Sequence, residues 1–254
     1  VFEKSTMHLL QVVDQLIQIK QTTGKLIHID IEPEPDGLLG EGKEFIDWYV
    51  RYLLPLGIPY IVKCFGCSEA AAALHIKQHI QLCYDVCHFA VCYEDHAAMI
   101  RQLRELDIKT GKIQISAALK AELPGSKEKR EATIEAFARF NEPVYLHQVV
   151  ALQQNGQMKR YADMPDALRD AGNASVKEWR AHFHVPLFVE GYGLLQSTRN
   201  DIEEVLSLHR EHPFTFHLEI ETYTWEVLPE NEKLPLTASI IREIEWVKGL
   251  VNGE

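Results

Sequence analysis

Four strand-like segments of this chain each carry His, Asp or Glu on one face, close to the carboxyl end of the segment. They lie at 26–32, 81–88, 181–186 and 217–222. A strand points alternate side chains to opposite faces, so the polar residues of a segment share one face. Sites of parallel α/β proteins lie where the carboxyl ends of strands meet. The pattern therefore predicts an α/β fold in which four strands bring ionisable groups to one site.

The first segment shows the pattern most clearly, because three isoleucines alternate there with His28, Asp30 and Glu32. A Pro/Gly-rich stretch at 33–37 follows and ends the strand. One face is apolar core, and the other carries an imidazole and two carboxylates. We expect helices to cover the isoleucine face and a site to lie on the polar face.

Oxygen ligands come from separate strand ends. Glu32, Asp85 and Glu219 each close a different segment, and hard oxygen ligands favour a divalent cation such as Mn²⁺, Mg²⁺ or Zn²⁺. Without a cation, carboxylates brought together would raise the pKa of at least one of them. Gln114, on a strand predicted over 112–116, offers a neutral oxygen donor. We predict a metal ion held by these four residues.

Histidines and further carboxylates surround this predicted metal. His88 lies one helical turn beyond Asp85 and can face the same mouth, while His182 and His184 share a strand face and suit a second metal or a polyol. His147 belongs to a predicted hairpin, and we expect it outside the site. The candidate substrate-binding residues are His88, His182, His184, Glu34 and Glu221.

The order of the predicted elements alternates strands and helices, with a β-hairpin insertion near 144–161 built around Asn155-Gly156. Such alternation predicts a parallel sheet with helical crossovers. About five barrel-type strands are found, whereas a closed (β/α)8 barrel has eight. We therefore expect one TIM-barrel-type domain over 1–254, with its first strands N-terminal to Val1.

Several local predictions accompany this fold. Helical periodicity predicts a first helix over 3–22, and a second over 44–54 that Pro55 and Pro59 break. Residues 60–64 then read as a short strand or extended connection. Strands are expected at 181–188 and 214–222, both within the parallel sheet.

Net charge and cysteine content indicate which classes of partner and which cellular compartment suit this chain. With 26 Lys and Arg against 37 Asp and Glu, the net charge is −11. An acidic surface repels phosphate backbones, which disfavours nucleic acid as a partner. The sequence has no apolar run of membrane-spanning length, and an odd count of 5 cysteines indicates reduced thiols. We expect a cytoplasmic protein with a small-molecule substrate, alone or as a homo-oligomer.

The set of Glu, Asp-x-x-His, a polar residue, His-x-His and Glu at successive strand ends resembles the xylose isomerase-like TIM-barrel superfamily over residues 25–222. More closely, four motifs resemble the EboE-type metabolite traffic proteins of a bacterial secondary-metabolite cluster. They are His28-Ile-Asp-Ile-Glu-Pro-Glu-Pro-Asp-Gly37, Cys83-Tyr-Asp-Val-Cys-His88, Tyr145-Leu-His-Gln-Val149 and His217-Leu-Glu-Ile-Glu-Thr-Tyr-Thr-Trp225.

The resemblance implies a divalent-metal isomerase or epimerase for a small sugar, polyol or cyclitol. It casts Glu32 and Glu219 as the acid/base pair and His88 as a substrate contact. The third ligand is usually His in this superfamily, whereas this chain has Gln114, which weakens zinc and suits a harder ion. Two alternatives stay open: an endonuclease IV-like metal phosphoesterase, and a metabolite-binding member of a biosynthesis or export assembly without turnover.

Overall fold

The computed structural model describes residues 1–226, 228, 233 and 235–253, which form an α/β structure with two sheets. A π-helical turn, Tyr49–Leu53, lies between the helices Gly42–Trp48 and Leu54–Phe65. The helices are α1 (Phe2–Thr23), α2 (Gly42–Trp48), α3 (Leu54–Phe65), α4 (Glu69–His79), α5 (Val86–Val91), α6 (His96–Glu105), α7 (Lys127–Ala138), α8 (Met164–Arg169), α9 (Arg199–Glu211) and α10 (Leu236–Asn252). The strands are β1 (Ile29–Ile31), β2 (Ile80–Asp85), β3 (Thr110–Ile115), β4 (Ala117–Glu122), β5 (Val149–Gln153), β6 (Met158–Tyr161), β7 (Val176–Val185), β8 (Gly191–Tyr192), β9 (Leu195–Ser197) and β10 (Leu218–Ile220).

The first helix confirms its prediction from periodicity. Leu10, Val13 and Ile17 recur at helical spacing and are fully buried. The helix ends at Gly24, which adopts the left-handed conformation with φ 72° and donates its N–H to Lys20 O at 2.9 Å. This C-cap turns the chain directly toward β1.

The prediction that proline breaks the second helix is wrong. Pro55 lies in the first turn of α3, where a helix needs no backbone donor, and the π-helical turn before it absorbs the change of register. Pro59 lies inside α3, so residues 60–64 are helical and not a strand or extended connection. A short apolar run next to two prolines does not distinguish these outcomes.

The parallel sheet has the order β1-β2-β3-β10. Thr110 and Lys112 of β3 pair with the successive residues Leu82 and Cys83 of β2, so Gly111 is the extra residue of a β-bulge. Bulges bend a strand, and this sheet curls until the His28 and His217 rings, beside its two outer strands, are 6.0 Å apart. The concave face of the curl carries the polar residues that alternation predicted.

The second sheet is antiparallel, in the order β6-β5-β7-β4-β9-β8. Only Ser116 separates β3 from β4, so one nearly continuous stretch of chain passes from the parallel sheet into the antiparallel one. Ala121 of β4 pairs with Trp179 of β7, and Ala151 of β5 pairs with the same tryptophan from the other side. The strand β7 is therefore the centre of this sheet.

These pairings change part of the expected topology. The predicted strand at 181–188 is not in the parallel sheet, because it is the second half of β7 and pairs antiparallel with β4 and β5. The predicted hairpin forms between β5 and β6, but β5 also pairs with β7 and is thus integrated into a larger sheet. The parallel strands among the described residues number four and do not close a barrel. The α/β class itself is confirmed.

One hydrophobic cluster runs from Leu10 of α1 to Val247 of α10 and fills the space between helices and sheets. All six residues of β2 are buried, as expected for a central parallel strand. No single helix in the described part of the chain is both long and apolar enough to cross a bilayer; the pair Gly42–Phe65 and Glu69–His79, bent by 111°, passes that test only when taken together.

Candidate metal centre

Three buried histidines meet where the two sheets join. His88 lies in the first turn of α5, directly after β2, while His182 and His184 lie on one face of β7. One ring nitrogen from each lies within 4.8 Å of the others. The Nε2 atoms of His88 and His182 are 3.0 Å apart. The sequence thus brings a helix and a central strand together to form a compact cluster of imidazoles.

Each of these rings has its Nδ1 beside an oxygen that can only accept. His88 Nδ1 donates to Pro33 O at 2.8 Å, His182 Nδ1 to Gln148 Oε1 at 2.7 Å, and His184 Nδ1 to Glu221 O at 3.1 Å. A neutral imidazole carries one proton, so a donor at Nδ1 leaves a lone pair at Nε2. Metal-ligating histidines typically donate their other nitrogen in this way. All three Nε2 atoms are therefore available as ligands.

The electrostatics favour the neutral, ligating form. Burial and the neighbouring imidazoles hold the pKa of His182 well below its usual value. Burial likewise lowers the pKa of His184 to about 4, although Asp85 opposes the shift. With His182 and His184 neutral, the Nε2 lone pair of His182 faces His88 Nε2 at 3.0 Å, and His184 Nε2 is buried without a hydrogen-bond partner among the described residues. A cation placed among these nitrogens would satisfy all of them.

Asp85 adds a carboxylate to the cluster. It ends β2 and caps α5, where its Oδ1 accepts from His88 N at 3.0 Å and from Ser116 Oγ at 2.8 Å. Burial raises the pKa of Asp85, but its interactions with the His88 and His184 rings and these two hydrogen bonds outweigh burial and lower the pKa overall. Its other oxygen, Oδ2, is buried and accepts from no N–H or hydroxyl donor within the described ranges, while the Glu221 carboxyl group lies within hydrogen-bonding range of the Asp85 side chain. A buried oxygen of this kind is an atom that a metal ion satisfies.

Two more carboxyl groups lie beside Asp85. Glu32 Oε1 is 3.5 Å from His88 Nδ1, and burial raises the pKa of Glu32. Burial and the charge of Asp85 raise the pKa of Glu221 to about 8, and Gln114 Nε2 donates to the Glu221 carboxyl group. Like charges held together shift pKa values upward in this way. Glu221 is therefore suited to hold and release a proton near neutral pH, and the pKa of Glu32 is shifted in the same direction.

Two of the predicted metal ligands are engaged elsewhere. Glu219 has a side chain that is 53% exposed and accepts a hydrogen bond from Lys112 Nζ at 2.5 Å, away from the histidines. Gln114 has its amide oxygen next to the donating thiol of Cys83. Glu219 belongs to no group of His, Cys, Asp and Glu ligands found in the described part of the chain, whereas Gln114, an amide, also donates to Glu221 beside the cluster. Their roles as ligands stay predictions.

Three overlapping groups have ligand atoms close enough to share a metal ion. They are His88 with His182 and His184, Asp85 with Cys87 and His184, and Glu32 with Asp85 and His88. Each group contains at least one imidazole nitrogen, and the group of three histidines suits Zn²⁺ and other borderline divalent ions better than Mg²⁺. The donors present therefore fit the predicted divalent metal, with more nitrogen in the ligand set than expected.

The predicted substrate-binding residues surround this cluster. Glu34 Oε1 lies 3.7 Å from His182 Nδ1, and its side chain is 53% exposed. Tyr223, which sequence reasoning missed, places its hydroxyl 3.5 Å from His182 Nε2 and its ring 4.7 Å from the His184 ring. Its position two residues after Glu221 was the available signal, because alternation puts both on one face.

His147 and Gln148 lie behind the cluster. His147 is fully buried, donates from Nδ1 to His182 O at 3.1 Å, and has its Nε2 2.6 Å from Glu142 Oε1. It therefore contacts the backbone of a candidate ligand and not the ligand group. Gln148, next in the chain, contacts the His182 ring itself and was not singled out from the sequence.

Comparisons with family models, with curated proteins and with solved structures found no match for this chain. The likeness to xylose isomerase-like barrels therefore depends on the motifs around Glu32, Asp85, His182 and Glu219 alone.

Proposed function

We propose that this chain is a divalent-metal-dependent isomerase or epimerase that acts on a small sugar, polyol or cyclitol by metal-assisted proton transfer. One observation carries the proposal. Ring nitrogens of His88, His182 and His184 lie within 4.8 Å of one another, and Asp85 shares one such ligand group with His184 and another with His88. Glu32 and Glu221, whose pKa values are raised, lie beside them.

In this proposal His88, His182, His184 and Asp85 hold the metal. The ion would act as a Lewis acid on a substrate carbonyl or hydroxyl group. Glu32 and Glu221 would move the proton at carbon, since their raised pKa values suit groups that alternate between acid and base. Glu221 thus takes the place expected for Glu219, which pairs with Lys112.

Features of the fold also support an isomerase or epimerase of the TIM-barrel type. We propose that the parallel sheet β1-β2-β3-β10 is part of a TIM-barrel-type sheet of the xylose isomerase-like kind and of the EboE type. Its all-parallel order and strong curl support this, and so does the position of Glu32 and Asp85 at the carboxyl ends of β1 and β2. We further propose a single cytoplasmic domain that acts on a neutral metabolite, alone, as a homo-oligomer or with biosynthetic-cluster partners.

A metal-dependent phosphoesterase is the second candidate. The observation in its favour is the nitrogen-rich ligand set, since Asp85, His88, His182 and His184 lie together while Glu219 lies apart. A net charge of −11 disfavours DNA as its substrate and leaves small phosphate esters. The proton-holding pair of Glu32 and Glu221 has no necessary role in this reaction, so we rank it second.

Metal content tests the centre itself. We expect about one divalent ion per chain by elemental mass spectrometry in the wild type, and a strong loss in Asp85→Asn and His184→Asn, because each removes a ligand atom. His8→Asn, on the exposed surface of α1, is the matched control and should keep the metal. Circular dichroism should show that all variants are folded. An unchanged metal content in both ligand variants would reject this centre.

Proton exchange tests the reaction. The metal-loaded protein should exchange a carbon-bound proton of a ketose or inosose with D2O, and Glu221→Gln should abolish the exchange while keeping the metal. Cleavage of generic phosphate esters without exchange would favour the second candidate. A metal-bound protein with neither activity would leave a non-catalytic metabolite-binding role.

A further inference from the structure

Gln148 holds His182 by both its backbone and its side chain. The backbone N–H of His182 donates to Gln148 O at 2.8 Å, and the His182 ring donates from Nδ1 to Gln148 Oε1 at 2.7 Å. Gln148 is itself 9% exposed and lies directly before β5, whose pairing with β7 fixes its position. The amide group therefore has little freedom to leave the ring.

This contact decides which nitrogen of His182 carries the proton. An amide oxygen only accepts, so it requires a proton on Nδ1 and leaves Nε2 bare, 3.0 Å from the Nε2 of His88. The other two histidines are held by main-chain oxygens of Pro33 and Glu221, which cannot change their role. His182 is thus the member of this trio whose Nδ1 is hydrogen-bonded to a side chain, with the exposed Glu34 carboxylate farther away at 3.7 Å.

A reversed amide would have the opposite effect. Its NH₂ group would donate to Nδ1, and the proton of His182 would then be on Nε2, directed at the bare Nε2 of His88. The two rings would form a complete hydrogen bond, and His182 would offer no lone pair to a cation. The orientation of the Gln148 amide therefore decides between two states. In one, His182 offers its Nε2 lone pair to a metal; in the other, His182 donates a hydrogen bond to His88.

We propose that Gln148 is a positioning residue that selects the metal-ligating tautomer of His182 by holding its Nδ1–H. The part of this inference that concerns metal affinity rests on the proposed function, whereas the tautomer itself does not. Glutamine at this position also predicts weaker metal binding than a carboxylate would give, because a carboxylate acceptor raises the basicity of the ligating imidazole.

The first test is free of metal. Long-range ¹H–¹⁵N correlation spectra of histidine-labelled protein in a chelator report which ring nitrogen is protonated, with His182→Asn assigning the signal. We expect Nδ1–H at His182 in the wild type and in Gln148→Glu, and a shift toward Nε2–H in Gln148→Met, which keeps the length of the side chain but removes the acceptor. Gln81→Met is the matched control, since Gln81 is a buried glutamine whose amide donates to Gln78 O at 2.9 Å. Protonation of His182 at Nε2 in the wild type would overturn the proposal.

The second test measures Zn²⁺ affinity by competition with a chromophoric chelator. We expect Gln148→Met to bind about 10- to 100-fold more weakly than the wild type, the range found for lost outer-shell partners, and Gln148→Glu to bind at least as tightly. The proposal would be overturned if the Zn²⁺ affinity of Gln148→Met equalled that of the wild type. If no protein binds Zn²⁺ while the His182 tautomer still follows residue 148, the proposed function fails and the tautomer assignment stands.

Discussion

Gly111 determines how closely the first and third strands of the parallel sheet approach. It is the extra residue of the β3 bulge, and a Cβ atom built on it would lie 1.9 Å from Asp30 Oδ1 and 2.3 Å from Asp30 Cγ. Asp30 in turn holds the His28 ring, with 2.6 Å between its Oδ1 and His28 Nδ1. The curl of the sheet and the positions of Asp30 and His28 therefore depend on the absence of a Cβ atom at residue 111.

We predict that Gly111→Ala lowers the free energy of unfolding by about 1–3 kcal/mol, the usual cost of forcing extra volume into a packed site. Urea denaturation measures the loss. Gly172→Ala is the control, because an added Cβ there meets no atom within 4 Å. In the background of Asp30→Ala, the cost of Gly111→Ala should shrink. An equal cost in both backgrounds would show that the carboxylate is not the obstacle.

Much of the candidate site could be anticipated from single residues. Glu32, Asp85, His88, His182 and His184 were predicted together from alternation, and the structure brings their side chains together. Alternation could not choose between Glu219 and Glu221, because residues two apart share a face. The choice depends on a partner from a neighbouring strand, Lys112, which holds Glu219.

At the scale of elements, α10 is connected to the site through one buried carboxylate. Glu243 accepts from the backbone N–H of Leu187, just after β7, and from the hydroxyl of Thr222, at 3.1 and 2.8 Å. Thr222 lies between Glu221 and Tyr223, which contact the histidine cluster. The helix therefore fixes the segment that follows β10.

We expect Glu243→Ala to destabilise the protein by about 1–3 kcal/mol, since it leaves the buried Leu187 amide and the half-buried Thr222 hydroxyl without an acceptor. Hydrogen exchange should quicken at the Leu187 amide and in residues 221–224 beyond the global loss of stability. Glu245→Ala, an exposed position of the same helix, is the control. Protection in residues 221–224 that is as high as in the control would contradict the role of this contact.

Helices were predicted more accurately than strands, for a physical reason. Residues 3–22 carry a periodic apolar pattern and a Gly cap, both local in sequence, and the helix forms as predicted. The strand β4 was not predicted, although all but two of its residues are buried, because its partners β7 and β9 lie far along the chain. Pairing of this kind is not encoded in a short window of sequence.

At the scale of the whole molecule, the candidate centre lies between two sheets. Asp85 and Glu32 belong to the parallel sheet and His182 and His184 to the antiparallel one, with Ser116 at the joint donating to Asp85. The sequence predicted the α/β class, but not this second sheet. The antiparallel partners of β7 are what redirect the His-x-His strand from its expected parallel position.

A bound metal should therefore stabilise the molecule as a whole. With free Zn²⁺ at 100 times its Kd, we expect about 2.7 kcal/mol of added stability, which raises the thermal midpoint by several degrees for a chain of this size. Differential scanning calorimetry of the wild type and His184→Asn measures this. An equal rise in both proteins would indicate that Zn²⁺ binds elsewhere.

The contact between His184 and Glu221 O also bears on how the protein is made. The ring of His184 is held by a carbonyl that the ribosome adds 37 residues later, counting from 184 to 221. Domains fold as units during synthesis, so this ligand is not oriented on a nascent chain that stops short of β10. Under the proposed function, His184 would therefore join the metal site in its ligating orientation only after residue 221 has been synthesised.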